Sequence, residues 1–236
     1  MKIFNLRMML ASTVLAGAVM APVSLWAAGY QKQGRCITLS LPAKPKQAKT
    51  VRLTIVSDNI IRVEATPEDA IPQKRKSLVV VNREGKYTAD VKEDDRMVTV
   101  ETAAIIAKVE KQTGKLTFID KTTGKVLLQE ADGSKTFTKY VSNQTELPEN
   151  YRPTSPDEVN WGKKTDLNKL SLEDRSGYSW HALFESDADE AFYGLGQHQS
   201  EEMNYKGRNE ELFQYNTKVA IPFVVSNKNY GILWDS

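Results

Sequence analysis

An all-β fold, an antiparallel β-sandwich, is what this sequence predicts. Short runs alternate apolar and polar side chains with a period of two. Turn residues recur between those runs, including two Thr-Gly-Lys triplets at 113–115 and 123–125. No stretch shows a long helical periodicity. The chain of 236 residues, 40% apolar and 26% charged, has the composition of a folded globular protein rather than a disordered one, and its length suits one large β domain.

Residues 1–28 read as a signal peptide and residues 29–236 as the sandwich domain. Lys2 and Arg7 form a positive leader to the apolar run Met8–Met20, which is of signal-peptide length and short for a membrane span. Cleavage is expected after Ala27 or Ala28, although Leu25 or Trp26 then stands at the position where a small residue is preferred; an uncleaved anchor is the alternative. The predicted localisation is exported, periplasmic or extracellular. Loss of Lys2 and Arg7 takes the formal charge from +2 to zero. No basic field remains to attract nucleic acid or an anionic membrane, whereas a neutral glycan is a fitting partner. The single cysteine, Cys36, has no partner for an internal disulfide and reads as a strand-end or core thiol.

The strands are expected in this order. Ile37–Leu41 is closed by Pro42 and Pro45. Thr50–Ser57 sets Val51, Leu53 and Ile55 on one face, and after the Asp58-Asn59 turn Asn59–Thr66 completes a hairpin. The β-branched run Ser77–Val81 is a further strand. A charged turn at Lys92–Arg96 leads to Met97–Thr102, and the three segments Ala104–Glu110, Lys115–Asp120 and Lys125–Gln129 form a meander across the two Thr-Gly turns. Asn143–Gly177, with three prolines, reads as a long surface excursion, with one helical turn at Leu167–Glu173. Tyr178–Glu185 is again strand, followed by an acidic turn at Asp187–Glu190. Phe192–Leu195, Thr217–Ser226 and Tyr230–Asp235 are the last strands. Pro222 places its strand at an edge or a bulge. The sum is about a dozen strands.

Most motif readings are structural. Gly194-Leu195-Gly196 lacks the third glycine of a dinucleotide fingerprint and reads as a bulge or close backbone approach. His181 and His198 are the only histidines, too few with one cysteine for a metal site, so no metal and no cofactor is expected. His198 reads as a hydrogen-bonded structural residue. Glu201, Glu202, Glu210, Glu211 and Asp235 read as solvated surface charge, Trp180 and Trp234 as core, and Trp161 as a more exposed ring.

The final block carries a resemblance. FYGLGQHQ, NYKGR, LFQYNT and VAIPFVVSNKNYGILWD, within Phe192–Asp235, resemble the N-terminal domain of glycoside hydrolase family 31, in particular of bacterial α-xylosidases. The resemblance implies a sandwich of galactose-mutarotase-like type that precedes a (β/α)8 catalytic barrel. In that family both catalytic carboxylates are barrel aspartates, one attacking the anomeric carbon and the other acting as acid and then base. The barrel is absent from this chain, so no catalytic residue is assigned within it. The resemblance implies that Asn216 and Thr217 lie at the barrel mouth, where an amide and a hydroxyl suit sugar hydroxyls; capping a strand end is the alternative. The implied partners are an oligosaccharide substrate and the barrel of the same polypeptide. The implied activity is an exo-acting α-glycosidase, most specifically an α-xylosidase acting on xyloglucan oligosaccharides. A free-standing secreted carbohydrate-binding sandwich without catalysis is the other reading.

The leader is directly testable. N-terminal sequencing of the exported protein is expected to begin at residue 28 or 29, and recovery of Met1 on exported protein would contradict the assignment.

Overall fold

The computed structural model describes residues 29–72, 77, 80, 85–141, 176–198, 203–214 and 216–235. Its strands in chain order are β1 (Tyr30–Gln33), β2 (Cys36–Ser40), β3 (Thr50–Ser57), β4 (Ile60–Thr66), β5 (Asp90–Glu93), β6 (Met97–Glu101), β7 (Ile105–Glu110), β8 (Leu116–Asp120) and β9 (Val126–Glu130). They continue with β10 (Thr136–Val141), β11 (Ser176–His181), β12 (Phe184–Glu185), β13 (Phe192–Gln197), β14 (Val219–Ser226) and β15 (Tyr230–Leu233). All pair antiparallel, in a four-stranded sheet β1-β2-β3-β4, a six-stranded sheet β12-β9-β8-β7-β6-β5, a ribbon β10-β11 and a three-stranded sheet β13-β14-β15.

The core follows from the period of two. Val51, Leu53 and Ile55 of β3 are fully buried, as are Ile37 and Leu39 of β2, and the register sets Leu53 between Ile37 and Val63. The same alternation in the six-stranded sheet buries Val98, Val100, Ala107, Val109 and Leu116. The two inner faces form one cluster, which is a β-sandwich. Burying each such valine, leucine or isoleucine side chain contributes roughly 1.5–3 kcal/mol.

The two Thr-Gly-Lys triplets form equivalent turns. Gly114 and Gly124 have φ of 70° and 69°, and each N–H donates to the carbonyl four residues back, Glu110 or Asp120, at 2.8 Å. They differ in surroundings: a Cβ on Gly114 would lie 2.5 Å from Leu41 Cδ1, whereas one on Gly124 meets open space.

A buried ion pair fastens the first of these turns to the meander. The ammonium of Lys135, in a left-handed backbone at φ 58°, donates to the Gly114 carbonyl at 2.7 Å and to Glu130 Oε2. That same carboxylate oxygen accepts the Leu116 N–H at 2.9 Å. Both side chains are buried, and burial lowers the Lys135 pKa against the opposing pull of Glu130.

Several sequence expectations are corrected. Lys92 and Glu93 are strand, and the charged turn is confined to Asp94–Arg96, where Asp94 Oδ1 accepts from the amides of Arg96 and Met97 at 2.8 Å. The expected strand Tyr178–Glu185 is two strands in different sheets, broken where Leu183 N–H donates to Ser134 Oγ at 3.0 Å. The strands β1 and β10 carry too many polar residues to be read from pattern. Of the expected strand Ser77–Val81 only Ser77 and Val80 are described, and neither is in a strand. The leader 1–28, the helical turn 167–173, Trp161 and nearly all of the excursion 143–177 lie outside the described residues.

The buried pair generates a stability prediction. Lys135→Met, which strands the Glu130 carboxylate, is expected to cost about 3–5 kcal/mol, whereas replacing both residues with apolar ones costs much less. Urea unfolding of the two variants checks this; equal losses would contradict it.

Candidate functional site

The recognised block folds as the β13-β14-β15 sheet and the segment that joins β13 to β14. Alternation along β14 is apolar on both faces. Val224 and Ser226 are buried on one side, while Val219, Ile221, Phe223 and Val225 on the other are 38–49% exposed. Cross-strand register adds Tyr193 opposite Val225 and Leu233 opposite Phe223, both also exposed. The Phe223 ring lies over Gly231, where a Cβ would come within 2.8 Å of it. The result is a continuous apolar face without cover among the described residues.

Gly194-Leu195-Gly196 is a bulge, as its sequence suggests. Three consecutive residues have φ of 107°, 61° and 106°, and the β13–β14 register shifts between the two glycines. Neither glycine tolerates a side chain: a Cβ would lie 2.6 Å from the Phe223 carbonyl oxygen at Gly194 and 2.0 Å from that of Val219 at Gly196. Leu195 takes the left-handed conformation that is costly for a residue with a Cβ. Opposite this bulge sits Pro222. Its strand is the central one of the sheet, so of the two expected settings, edge or bulge, it is the bulge that holds the proline. The proline is accommodated because the β14–β15 ladder ends there, with Pro222 C=O accepting from Trp234 N–H at 2.9 Å beyond the last pair, Phe223–Leu233.

Buried polar contacts brace both ends of this sheet. At one end Glu190 Oε1 accepts from Ser226 Oγ at 2.6 Å and from the Tyr230 hydroxyl at 2.7 Å, with Lys228 Nζ 3.4 Å from Oε2. Burial pushes the Glu190 pKa up, but the hydrogen bonds from Ser226 and Tyr230 and the charge of Lys228 together hold it below the ordinary 4.5. The Tyr230 hydroxyl is pushed far above its usual range by burial and by the Glu190 carboxylate. At the other end His198 is buried, with Nε2 2.8 Å from the Leu195 carbonyl oxygen and Nδ1 3.1 Å from Glu210 Oε1. Glu210 Oε1 also accepts from Lys218 Nζ, which donates in addition to the Glu211 carbonyl at 2.8 Å. The hydrogen bond from Lys218 is the main reason the Glu210 pKa is lowered.

Asn216 and Thr217 form the turn that enters β14. Both are exposed, Asn216 has φ of 30°, and among the described residues neither side chain takes a hydrogen-bond partner. The acidic residues are not uniformly solvated: Glu211 is exposed, but Glu210 and Asp235 are partly buried and ion-paired, Asp235 with Arg62 at 3.3 Å. Glu201 and Glu202 lie outside the described residues. Trp180 is 44% exposed rather than core, since it lies on the two-stranded ribbon β10-β11 and not in a multi-stranded sheet, and Trp234 is half-buried. Cys36 is a free, half-buried thiol at the start of β2, its Sγ 3.5 Å from Thr54 Oγ1. Among the described residues no cluster of His, Cys, Asp or Glu is placed to hold a metal ion, and no helix is long and apolar enough to cross a membrane. In an open depression at Arg35, Asp58 and Gly85–Thr88, the Arg35 guanidinium donates to the carbonyls of Ile55, Val56 and Gly85 and stacks 4.1 Å from the Tyr87 ring.

The described strands form a β-sandwich core followed by a bulged terminal sheet with one apolar face exposed. Residues 50–236 match the model of the glycosyl hydrolase 31 N-terminal galactose mutarotase-like domain; the chain belongs to that family. It is 41% identical over 73 residues to an α-xylosidase of Saccharolobus solfataricus, covering 27% of this chain and 10% of that protein. It is 25% identical over 190 residues to an uncharacterized family 31 glucosidase of Pseudescherichia vulneris, covering 80% of this chain and 33% of that protein. Among solved structures, the family 31 α-xylosidase of Xanthomonas citri superposes with a TM-score of 0.68 at 33% identity over 87% of this chain and 19% of that one. An α-xylosidase from a soil metagenome, solved with xylose, shares the fold at a TM-score of 0.56 and 22% identity over 88% of this chain and 28% of that one. The chain thus spans between a tenth and a third of the length of the curated relatives it matches.

Glu190 generates a pH prediction. Its pKa is lower folded than unfolded, so the stability it contributes is present above about pH 4.5 and is lost as the pH falls through the folded value. Glu190→Gln is expected to reduce stability at neutral pH and to flatten its fall below pH 4.5. Urea midpoints from pH 3 to 7 measure this, and an unchanged slope would contradict it.

Proposed function

We propose that this chain is the N-terminal domain of a longer, exported, retaining exo-acting α-glycoside hydrolase, an α-xylosidase that acts on xyloglucan oligosaccharides. The observation that carries the reading is the 33% identity to the Xanthomonas citri α-xylosidase across 87% of this chain, with a TM-score of 0.68. The described residues hold strands and turns and no helix, so the chemistry belongs to the barrel that the family resemblance implies. There one aspartate forms the glycosyl-enzyme and a second serves as acid and then base, through an oxocarbenium-like transition state.

The apolar face of β14 supports the same reading. Val219, Ile221, Phe223 and Val225, with Tyr193 and Leu233, make a surface whose exposure in water is unfavourable and whose cover by another domain is not. The turn Asn216–Thr217 lies directly before that face in sequence, and its amide and hydroxyl, without a partner among the described residues, are the groups that contact substrate.

Purified 1–236 is expected to show no turnover of p-nitrophenyl α-xyloside, while the full-length polypeptide hydrolyses it. Hydrolysis by 1–236 that is lost on changing one of its own acids would overturn the proposal. In the full-length enzyme, losing one hydrogen bond to sugar costs roughly 0.5–1.5 kcal/mol, at most about a tenfold fall in kcat/KM. Asn216→Ala is expected to raise KM for a xyloglucan oligosaccharide with kcat near normal. Unchanged kinetics in both Asn216→Ala and Thr217→Ala, with the fold intact, would remove the pair from the site.

A further inference from the structure

We propose that Glu210 is a positioning residue that fixes the Asn216–Thr217 turn and the β13 bulge as one unit. The inference rests on the reading of that turn as part of the sugar site. Two observations meet at a single oxygen. Glu210 Oε1 accepts from Lys218 Nζ, and Lys218 directly follows Thr217 in the chain. The same oxygen lies 3.1 Å from His198 Nδ1, whose other ring nitrogen is 2.8 Å from the carbonyl oxygen of Leu195, the left-handed residue at the centre of the bulge.

The surroundings leave these groups little freedom. The His198 side chain is 3% exposed, Lys218 13% and Glu210 18%. Tyr205 packs edge-on against the His198 ring at 5.9 Å, and its own amide donates to Phe192 C=O at 2.8 Å. The Lys218 ammonium lies 5.1 Å from the Phe213 ring centre and donates to the Glu211 carbonyl. Two exposed residues with a left-handed entry to the strand would otherwise fluctuate; the lysine beside them is held at its far end by a carboxylate packed 3.1 Å from the buried His198 ring, which contacts the bulge carbonyl of Leu195. A substrate contact from a pre-ordered turn loses less entropy on binding than one from a mobile turn, so the device acts on affinity.

The test uses the full-length polypeptide. Hydrogen exchange is followed in a peptide covering 216–221, with a peptide covering 50–57 as the control for global stability. Glu210→Ala is expected to speed exchange in 216–221 at least tenfold and leave 50–57 unchanged. Glu210→Gln, whose amide oxygen still accepts from Lys218, is expected to lie between. In kinetics Glu210→Ala is expected to raise KM several-fold, and adding Asn216→Ala is expected to produce no further rise, because one acts through the other. Unchanged exchange in 216–221, equal acceleration in both peptides, or KM effects that multiply would each overturn the proposal. Faster exchange in 216–221 together with unchanged KM in Asn216→Ala and Thr217→Ala would uphold the anchoring by Glu210 and refute the sugar-site reading of the turn instead.

Discussion

One constraint governs the terminal sheet: β14 is apolar on both faces, and among the described residues only one face is covered. Val224 and Ser226 point into the body of the domain, while Val219, Ile221, Phe223 and Val225 meet solvent. A strand of this kind belongs in the middle of a layered structure. The bulge, the proline and the two polar braces all serve to hold such a strand in a fixed attitude. Gly194 and Gly196 let β13 approach within van der Waals limits of the β14 carbonyls, and Pro222 ends the ladder on the β15 side.

The polar groups of this region are structural in type, yet their placement is what makes a site conceivable. Glu190 with Ser226, Tyr230 and Lys228 closes one end of the sheet, and Glu210 with His198 and Lys218 closes the other. Buried charges with several partners discriminate one arrangement from its neighbours, even where apolar substitutes would be as stable. The Glu130–Lys135 pair does the same for the Gly114 turn in the main sandwich.

Much of the sandwich was legible because its physics is local. β3 and β6–β9 show clean alternation and glycine turns, and the structure follows the pattern within a residue or so at each end. The strands β1, β5 and β10 were missed because they are edge-like and polar, held by register with neighbours rather than by their own composition. Trp180 is exposed although it lies on a strand, because burial is a tertiary property: a tryptophan on a strand is core only if a second layer covers it. The roles of Glu130, Glu190 and Glu210 were illegible for a related reason. Each lies among other charged residues in sequence, and only the fold brings Lys135, Tyr230 or His198 to it. The glycine pair of β13 was the informative exception, since close glycines within a strand have few physical uses.

The central claim is that a catalytic domain covers the β14 face in one continuous polypeptide. Reading the gene beyond codon 236 tests it most directly. The account predicts an open frame that runs into alternating strand and helix patterns of a (β/α)8 barrel, with an aspartate at the end of a barrel strand in the role of nucleophile. A stop codon immediately after Ser236 in the native gene would contradict it.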